Sequence, residues 1–131
     1  MVWIMAKYQV IVQTDLVDVP KDHELSAAVI LAYHFKTDVI FLRPERKKTP
    51  DIDVNGIRWE IKSPMGDGKK TIDNNLRAAH KQSRNVVLDL RRAKLHQNKA
   101  VARINYYLSV GPHKIKHLKI ITKTLKIIDI V

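Results

Sequence analysis

Residues 49–63, TPDIDVNGIRWEIKS, decide the fold because the turn at their centre fixes the register of two strands. The pair Asn55-Gly56 lies between two runs of alternating apolar and polar residues. This pattern is typical of a hairpin with a type I′ turn, whose two central positions need φ > 0. The cross-strand pairs that follow are Val54 with Ile57, Asp53 with Arg58, Ile52 with Trp59, and Asp51 with Glu60.

Successive side chains point to opposite faces of a strand, so the hairpin has one apolar and one charged face. On the charged face Asp51 and Glu60 oppose each other with Cβ atoms about 4.5–5.5 Å apart, where like charges destabilise a sheet. Either Lys62, further along the same face, or a divalent cation would neutralise this repulsion. An amphipathic hairpin with a solvated, salt-bridged outer face fits the same pattern. The apolar face contains Ile52, Val54, Ile57, Trp59 and Ile61, and the charged face Asp51, Asp53, Arg58, Glu60 and Lys62.

Pro50-Asp51, followed after the hairpin by Glu60-Ile61-Lys62, resembles the PD-(D/E)xK signature of the restriction-endonuclease-like nucleases. More narrowly, over a hundred of the 131 residues are similar to the C-terminal tRNA nuclease domain of CdiA, the contact-dependent growth inhibition toxin. The pieces that carry this similarity are HEL at 23–25, TPD at 49–51, NGIRWEIKSP at 55–64, the Gly-Lys-rich segment 66–70, KQSRNVVLDLRR at 81–92 and KIITKTLKIIDI at 119–130.

The resemblance implies a metal-dependent endonuclease. Asp51 and Glu60 would hold Mg²⁺ or Mn²⁺, in preference to Zn²⁺, with the Ile61 carbonyl as a further ligand. Lys62 would position the attacking water. Asp53 is predicted to be either a partner of Arg58 or an outer ligand.

Glu24 and Gln82 are implied by the same resemblance as supporting residues of the active site. Glu24 has an equally good structural explanation, because an acidic side chain in the first turn of a helix interacts favourably with the helix dipole. Gln82 also has a structural explanation, because it could be an ordinary surface amide. The residues alone leave both alternatives open.

The charge of the chain indicates a polyanionic partner, because 24 Lys and Arg residues against 13 acidic residues give a net charge of +11. In a chain that is 45% hydrophobic, nucleic acid is the simplest such partner. The absence of cysteine excludes disulfides and thiolate zinc sites. No run approaches the roughly 20 apolar residues of a membrane span, and the start has no signal-peptide pattern. We therefore expect action in the cytoplasm, without a membrane partner.

Several cations are candidates for phosphate contacts. The segment 65–70, MGDGKK, is predicted to be a basic loop, and its spacing does not fit a Walker A phosphate loop. Positions 77, 81 and 84 form a cationic stripe without an intervening acid, so the three charges repel one another. A phosphate backbone would relieve this repulsion. A solvated helix face, the usual explanation of a charge stripe, fits the same pattern. The nucleic-acid-binding candidates are Lys69, Lys70, Arg77, Lys81, Arg84, Arg91 and Arg92.

The remaining periodicity predicts one α/β domain over residues 1–131, with a strand extension at 1–20 and a nuclease-like core at 21–131. Helices are expected from the N-cap Asp22 to 35, from the N-cap Thr71 to 83, and from 95 to 110, before Gly111-Pro112. Further strands are expected at 2–13, 38–43, 85–90, 117–122 and 125–130, with connections at 15–20 and 44–48. This order gives the αβββαβ core of the restriction-endonuclease-like fold, a mixed sheet flanked by helices, followed by a C-terminal β-hairpin. Core positions of the helices are Leu25, Ala28, Val29, Ala32, Ile72, Leu76, Ala79, Val101, Ile104 and Leu108, with Lys99 and Arg103 outward.

Four functions stay open at this stage. The first is a metal-dependent nuclease for RNA; its tRNA preference, toxin role and cognate immunity protein are implied by the resemblance. The second is a DNA endonuclease of the same fold. The third is a metal-independent ribonuclease that uses His80, His113 or His117 as acid and base. The fourth is a non-catalytic nucleic-acid-binding module. A homodimer is among the alternatives for the oligomeric state.

Overall fold

The computed structural model describes residues 7–14, 18–45 and 49–131. These residues form seven strands and three helices in the order β1 (Val10–Val12), α1 (Asp22–Phe35), β2 (Val39–Phe41), β3 (Ile52–Val54), β4 (Ile57–Lys62), α2 (Lys69–Gln82), β5 (Asn85–Asp89), α3 (Gln97–Val110), β6 (His117–Ile121) and β7 (Ile127–Asp129). No helix in these ranges is long and apolar enough to cross a bilayer.

The strands form one sheet in which the spatial order follows the chain order from β1 to β7. The pairs β1–β2, β4–β5 and β5–β6 are parallel, and the pairs β2–β3, β3–β4 and β6–β7 are antiparallel. Helices α1, α2 and α3 make the three crossovers that these parallel pairs require. The predicted mixed α/β sheet is confirmed, and β4 lies at its centre.

An apolar core covers each face of the sheet. On one face, α1 packs against the sheet through Ala27, Ala28, Leu31, Ala32, Val39, Phe41, Ile52, Val54, Trp59, Val87 and Ile121. On the other face, α2 and α3 cover β5 and β6 through Ile72, Leu76, Ala79, Val86, Leu88, Leu90, Ala93, Ala100, Ile104, Ile115, Leu118 and Ile120. The alternation of Val86, Val87 and Leu88 between the two cores shows that β5 is buried on both sides.

The central hairpin has the predicted register, with Val54 paired to Ile57 and the following pairs in step. Asn55 and Gly56 have φ values of 53° and 82°, as the turn type requires. Asp53 Oδ1 accepts the Gly56 N–H at 2.8 Å, so this carboxylate closes the turn, and no ion pair joins it to Arg58 within the described residues. The prediction that Ile57 is buried was wrong, since it is 52% exposed. Ile57 lies next to the turn and is not part of the core that α1 covers.

Strand β1 is shorter than predicted. Of the expected strand at 2–13, residues 10–12 pair with β2, and positions 7 and 8 are bends. The three-residue length of β2 limits this ladder. Residues 2–6 of that strand, residues 15–17 of the first predicted connection and residues 46–48 of the second lie outside the described residues.

The helix starts differ from the predicted ones. Helix α1 has Lys21 rather than Asp22 as its N-cap, and α2 has Gly68 rather than Thr71. Lys69 and Lys70 therefore belong to the first turn of α2 and not to a loop. Helix α3 begins two residues late, because the His96 side chain caps it by accepting the Asn98 N–H. Hydrogen bonds at a helix N-terminus do not change the spacing of apolar residues, so apolar periodicity does not predict the first residue of a helix.

Two individual positions on the helices were predicted wrongly. Val29 is 46% exposed, because the buried arc of α1 runs through Ala27 and Leu31, one position away from the predicted arc. Arg103 is partly exposed, but its guanidinium is held by an ion pair instead of being free in solvent. Its guanidinium donates to both Asp73 oxygens, at 2.8 Å and 2.5 Å, and so ties α3 to α2.

Candidate active site

Asp51 and Glu60 converge, as the predicted register requires. Asp51 directly precedes β3, and its Oδ2 accepts the Ile61 N–H at 2.9 Å. This bond fixes the Asp51 carboxyl, which is close enough to Glu60 for each group to shift the pKa of the other. Lys62 Nζ lies 3.1 Å from Glu60 Oε2. Two acids and an amine therefore meet on the central strands of the sheet.

Glu60 is buried and Asp51 is half-buried, which a solvated outer face of the hairpin would not produce. The Glu60 residue is 3% exposed. Burial, and then the negative charge of Asp51, raise the pKa of Glu60 from 4.5 to about 8. Burial also raises the pKa of Asp51, although the Ile61 N–H opposes this shift. Without a further cation, the geometry favours a protonated Glu60 that shares its proton with Asp51.

One oxygen of this pair has no donor as long as both acids are ionised. Glu60 Oε1 is buried and takes no hydrogen bond from the described part of the chain. Buried acceptors are almost always satisfied, so an exception of this kind needs an explanation. A divalent cation would provide one, since carboxylate oxygens are the ligands that Mg²⁺ and Mn²⁺ prefer.

Two carboxylates suit a cation such as Mg²⁺ better than a metal that needs a complete set of protein ligands. Across residues 7–14, 18–45 and 49–131, no three His, Cys, Asp or Glu side chains lie close enough to hold a metal ion. Mg²⁺ does not require three, because it commonly binds through one or two carboxylates and keeps water or phosphate in its other positions. Asp51 and Glu60 are the residues that would hold it, and the Ile61 carbonyl stays a predicted ligand.

Glu24 lies near Asp51. Both residues line a cavity of about 300 Å³ between the start of α1 and the segment that leads into β3. The negative charge of Glu24 contributes to the raised pKa of Asp51. Glu24 Oε1 also accepts the Lys21 N–H at 3.0 Å, so it caps α1 as the structural explanation requires. The two explanations of Glu24 are compatible, because only one of its oxygens is occupied by the cap.

Arg91 makes a network that sequence reasoning missed. Its guanidinium binds both Asp89 oxygens, at 2.9 Å and 2.7 Å, and reaches across to Ser26 Oγ and the His23 carbonyl, each at 2.9 Å. Asp89 is completely buried. The network fixes the end of β5 to the first turn of α1, which carries Glu24. An acidic residue inside the apolar run 85–90 was the available signal, because buried acids are nearly always paired.

The other predicted phosphate contacts lie on different surfaces. Exposed cations follow α2, namely Lys69, Lys70, Arg77 and Lys81, with Arg84 just beyond its end. Arg92 is half-buried, and its guanidinium contacts Met65 Sδ. Gln82 lines a cavity at the C-terminal end of α2 that Asp51 does not line.

The histidines of the metal-independent alternative do not form one group. His80 and His113 are close enough for the charge of His113 to lower the pKa of His80, after the larger effect of burial. His117 instead lies on β6, with its ring 6.4 Å from that of Trp59. His113 donates from Nε2 to the Leu108 carbonyl and accepts the Ile115 N–H at Nδ1, so both of its ring nitrogens have protein partners.

The raised pKa of Glu60 predicts how stability depends on pH. The folded protein holds a proton on Glu60 between its ordinary value of 4.5 and about 8, where the unfolded chain has lost it. Stability in EDTA should therefore fall as the pH rises through this window, with a slope of up to about 1.4 kcal/mol per pH unit. Glu60→Gln should flatten the slope. Urea unfolding of both proteins across the window measures it, and parallel curves would contradict the assignment.

The fold and these side chains define a mixed α/β protein with a buried pair of carboxylates beside a lysine on its central strands. The family model of the contact-dependent growth inhibition CdiA C-terminal domain matches residues 47–127, more than half of the chain. The protein thus belongs to this family of toxin domains, which confirms the predicted membership. The match includes Asp51, Glu60 and Lys62.

Among solved structures, the CdiA-CT/CdiI toxin and immunity complex from Burkholderia pseudomallei has a similar fold. The TM-score is 0.66 at 21% identity, over 91% of this chain and 97% of that chain. A comparison with curated proteins finds no match.

Proposed function

We propose that this protein is a metal-dependent nuclease that hydrolyses phosphodiester bonds in RNA, with tRNA as its substrate. The observation that carries the proposal is the convergence of Asp51, Glu60 and Lys62 around a buried oxygen that has no donor. A purely structural ion pair would need only one acid beside Lys62. The second buried acid raises the free energy of the folded protein, and a bound cation would offset this cost.

Each residue has a role in this proposal. Asp51 and Glu60 hold the cation, and the Ile61 N–H keeps Asp51 in position. When bound, a divalent cation polarises a water and neutralises charge that develops on the phosphate. Lys62 donates hydrogen bonds from Nζ, orienting the attacking water and stabilising the additional negative charge in the transition state. Glu24 supports the carboxyl pair from the opposite wall of the cavity that it shares with Asp51.

The charge of the protein supports a nucleic acid as substrate. A net charge of +11 attracts a polyanion, and four exposed cations follow α2 from its first turn. The preference for RNA, and for tRNA in particular, comes from the resemblance to CdiA nuclease domains. Toxin domains of this family are usually enzymes, which favours a catalyst over a passive binding module. The substrate places the site of action in the cytoplasm.

We also propose a cognate immunity protein as a partner. The solved structure with the similar fold contains a toxin and its immunity protein. A cell that synthesises an RNA-cleaving toxin needs an inhibitor in the same compartment. Co-purification of this chain with the product of a neighbouring reading frame, followed by loss of cleavage, would support this partner.

Removal of the metal tests the proposed reaction. Purified protein is incubated with total tRNA, ribosomal RNA, duplex DNA and single-stranded DNA, with Mg²⁺, with Mn²⁺ and with excess EDTA. We expect discrete tRNA fragments with either metal and a loss of at least about 10²-fold in rate with EDTA. Gel electrophoresis of end-labelled substrates measures this.

The alternatives predict different results. A metal-independent ribonuclease keeps its rate in EDTA, and a DNA endonuclease cuts the DNA substrates instead of tRNA. A non-catalytic module binds every substrate without products, and its affinity falls steeply between about 50 and 200 mM salt. Any of these three results would contradict the proposed function.

A further inference from the structure

A cavity of about 320 Å³ at the C-terminal end of α2 has a strongly cationic wall. Its lining consists of His80, Lys81, Gln82, Ser83, Arg84 and Lys114. No acidic residue of the described chain lines it. Ser83 Oγ donates to the Arg58 carbonyl and accepts the Asn85 N–H, so its position in the wall is fixed. The cavity is thus a built feature of the α2–β5 connection and not an irregularity of a surface loop.

The cations of this cavity have no partners in the described part of the chain. Lys62, Arg91, Arg103 and Lys119 each form an ion pair with a carboxylate. Lys81, Arg84 and Lys114 form none, and their side chains make no hydrogen bond. Three like charges around one cavity repel one another, and folding gives them no compensation.

His80 adds an unsatisfied polar group to the same wall. Its Nδ1 is buried and has no hydrogen-bond partner within the described residues. Burial, followed by the charges of His113, Lys81 and Lys114, holds the pKa of His80 below its usual value. The imidazole is therefore neutral near pH 7 and carries one N–H donor. An anion in the cavity would satisfy a donor of this type as well as the three cations.

The helix dipole opposes an anion at this position, but weakly. The C-terminal end of α2 contributes about half an elementary negative charge. Arg84, Lys81 and Lys114 contribute three full positive charges at the same place. The net potential in the cavity is positive, so it favours an anion.

We propose that this cavity binds a backbone phosphate of the nucleic-acid substrate, remote from the bond that is cut. The inference rests on the proposed function and extends it by a second phosphate site. The α2–β5 connection lies beside Arg58 at the start of β4, whereas Lys62 lies at the end of that strand. The site and the catalytic group therefore lie towards opposite ends of β4.

A polynucleotide explains this placement better than a free phosphate ion. Exposed cations on α2 lead from one end of β4 to the other, from Lys69 and Lys70 through Arg77 to Lys81. A helix of 14 residues is about 21 Å long, which is enough to follow several nucleotides. A free phosphate ion would need the cavity alone, without this cationic path.

The test compares two double variants with equal charge. Arg84→Gln/Lys114→Gln removes two cations from the cavity, and Lys123→Gln/Lys126→Gln removes two exposed cations from the turn between β6 and β7. Affinity for labelled total tRNA is measured in EDTA between about 50 and 200 mM salt. EDTA stops metal-dependent cleavage, so the affinity reports binding alone. Cleavage products in EDTA would instead reveal a metal-independent ribonuclease and contradict the proposed function, which is a different result from a change in affinity.

We expect the cavity variant to bind tRNA about tenfold more weakly at low salt, with a slope of log K against log [salt] that is smaller by about two. The turn variant should keep the wild-type slope. Equal losses in both variants would mean that only net charge matters and would overturn the proposal. Wild-type tRNA binding by the cavity variant would also overturn it and would leave the cavity to an acidic protein partner. Addition of inorganic phosphate distinguishes a site for a backbone phosphate from a site for the free ion. If the cavity binds the free ion, a low concentration of phosphate should shift the His80 NMR signals without tRNA.

Discussion

Lys62→Met is expected to lower the rate of tRNA cleavage by about 10²–10⁴-fold, because it removes the only cation that contacts the buried carboxyl pair within the described residues. The fold should survive this change. The pKa of Glu60 is already raised to about 8, so this carboxyl can stay protonated near pH 7 when its partner is lost. Single-turnover cleavage with saturating enzyme measures the rate, and thermal unfolding checks the fold.

Two further variants control this experiment. Lys99→Met removes an exposed lysine of α3 and should cleave at the wild-type rate. Lys62→Arg keeps the charge but replaces a compact ammonium by a planar fork, so it should recover only part of the activity. A folded Lys62→Met protein with wild-type cleavage would remove Lys62 from the mechanism. A loss of unfolding cooperativity would instead show that Lys62 acts through the fold.

The hairpin shows what a sequence can predict. Asn55-Gly56 permits few turn geometries, and the turn fixes the three pairs of the ladder, which place Asp51, one residue before β3, near Glu60. This inference is local, because it needs only the backbone preferences of two residues and the period of a strand. The same holds for the order of helices and strands, which follows from apolar periodicity.

The burial of Glu60 could not be predicted in the same way. Alternation assigns it to the charged face of the hairpin, and an isolated hairpin would expose that face. In the folded protein Glu60 pairs with Val86 of β5, on a strand that α2 covers. These elements are far apart in sequence, so no local pattern predicts that they pack together. The pKa shift of Glu60, and with it much of the chemistry, therefore depends on tertiary structure.

Arg91 and Arg103 illustrate the same limit for cations. Both look like surface charges in the sequence, and Arg91 was a candidate for phosphate binding. Each instead finds a carboxylate, Asp89 for Arg91 and Asp73 for Arg103. Sequence spacing does not reveal these pairs in advance, because one depends on a bend after β5 and the other on the packing of α3 against α2. The cations that stay unpaired in the described chain, such as Lys81 and Arg84, are better candidates for phosphate.

Arg91→Met is expected to destabilise the protein by about 3–5 kcal/mol, since it leaves the completely buried Asp89 without its counter-ion. The same substitution at Arg103 is a matched control. Its partner Asp73 is partly exposed and can turn to water, so we expect a loss of at most about 1 kcal/mol. Urea unfolding of the two variants measures the difference.

A double variant separates the charge of Asp89 from the packing of Arg91. Asp89→Asn removes the buried negative charge, so Asp89→Asn/Arg91→Met should be more stable than Arg91→Met alone, although both groups of the pair are then altered. If Arg91→Met costs no more than Arg103→Met, the Asp89 pair is not an important stabilising contact. If the double variant is less stable than Arg91→Met, the contacts of Arg91 with Ser26 and the His23 carbonyl outweigh the buried charge. These contacts hold the first turn of α1, which carries Glu24, against the end of β5.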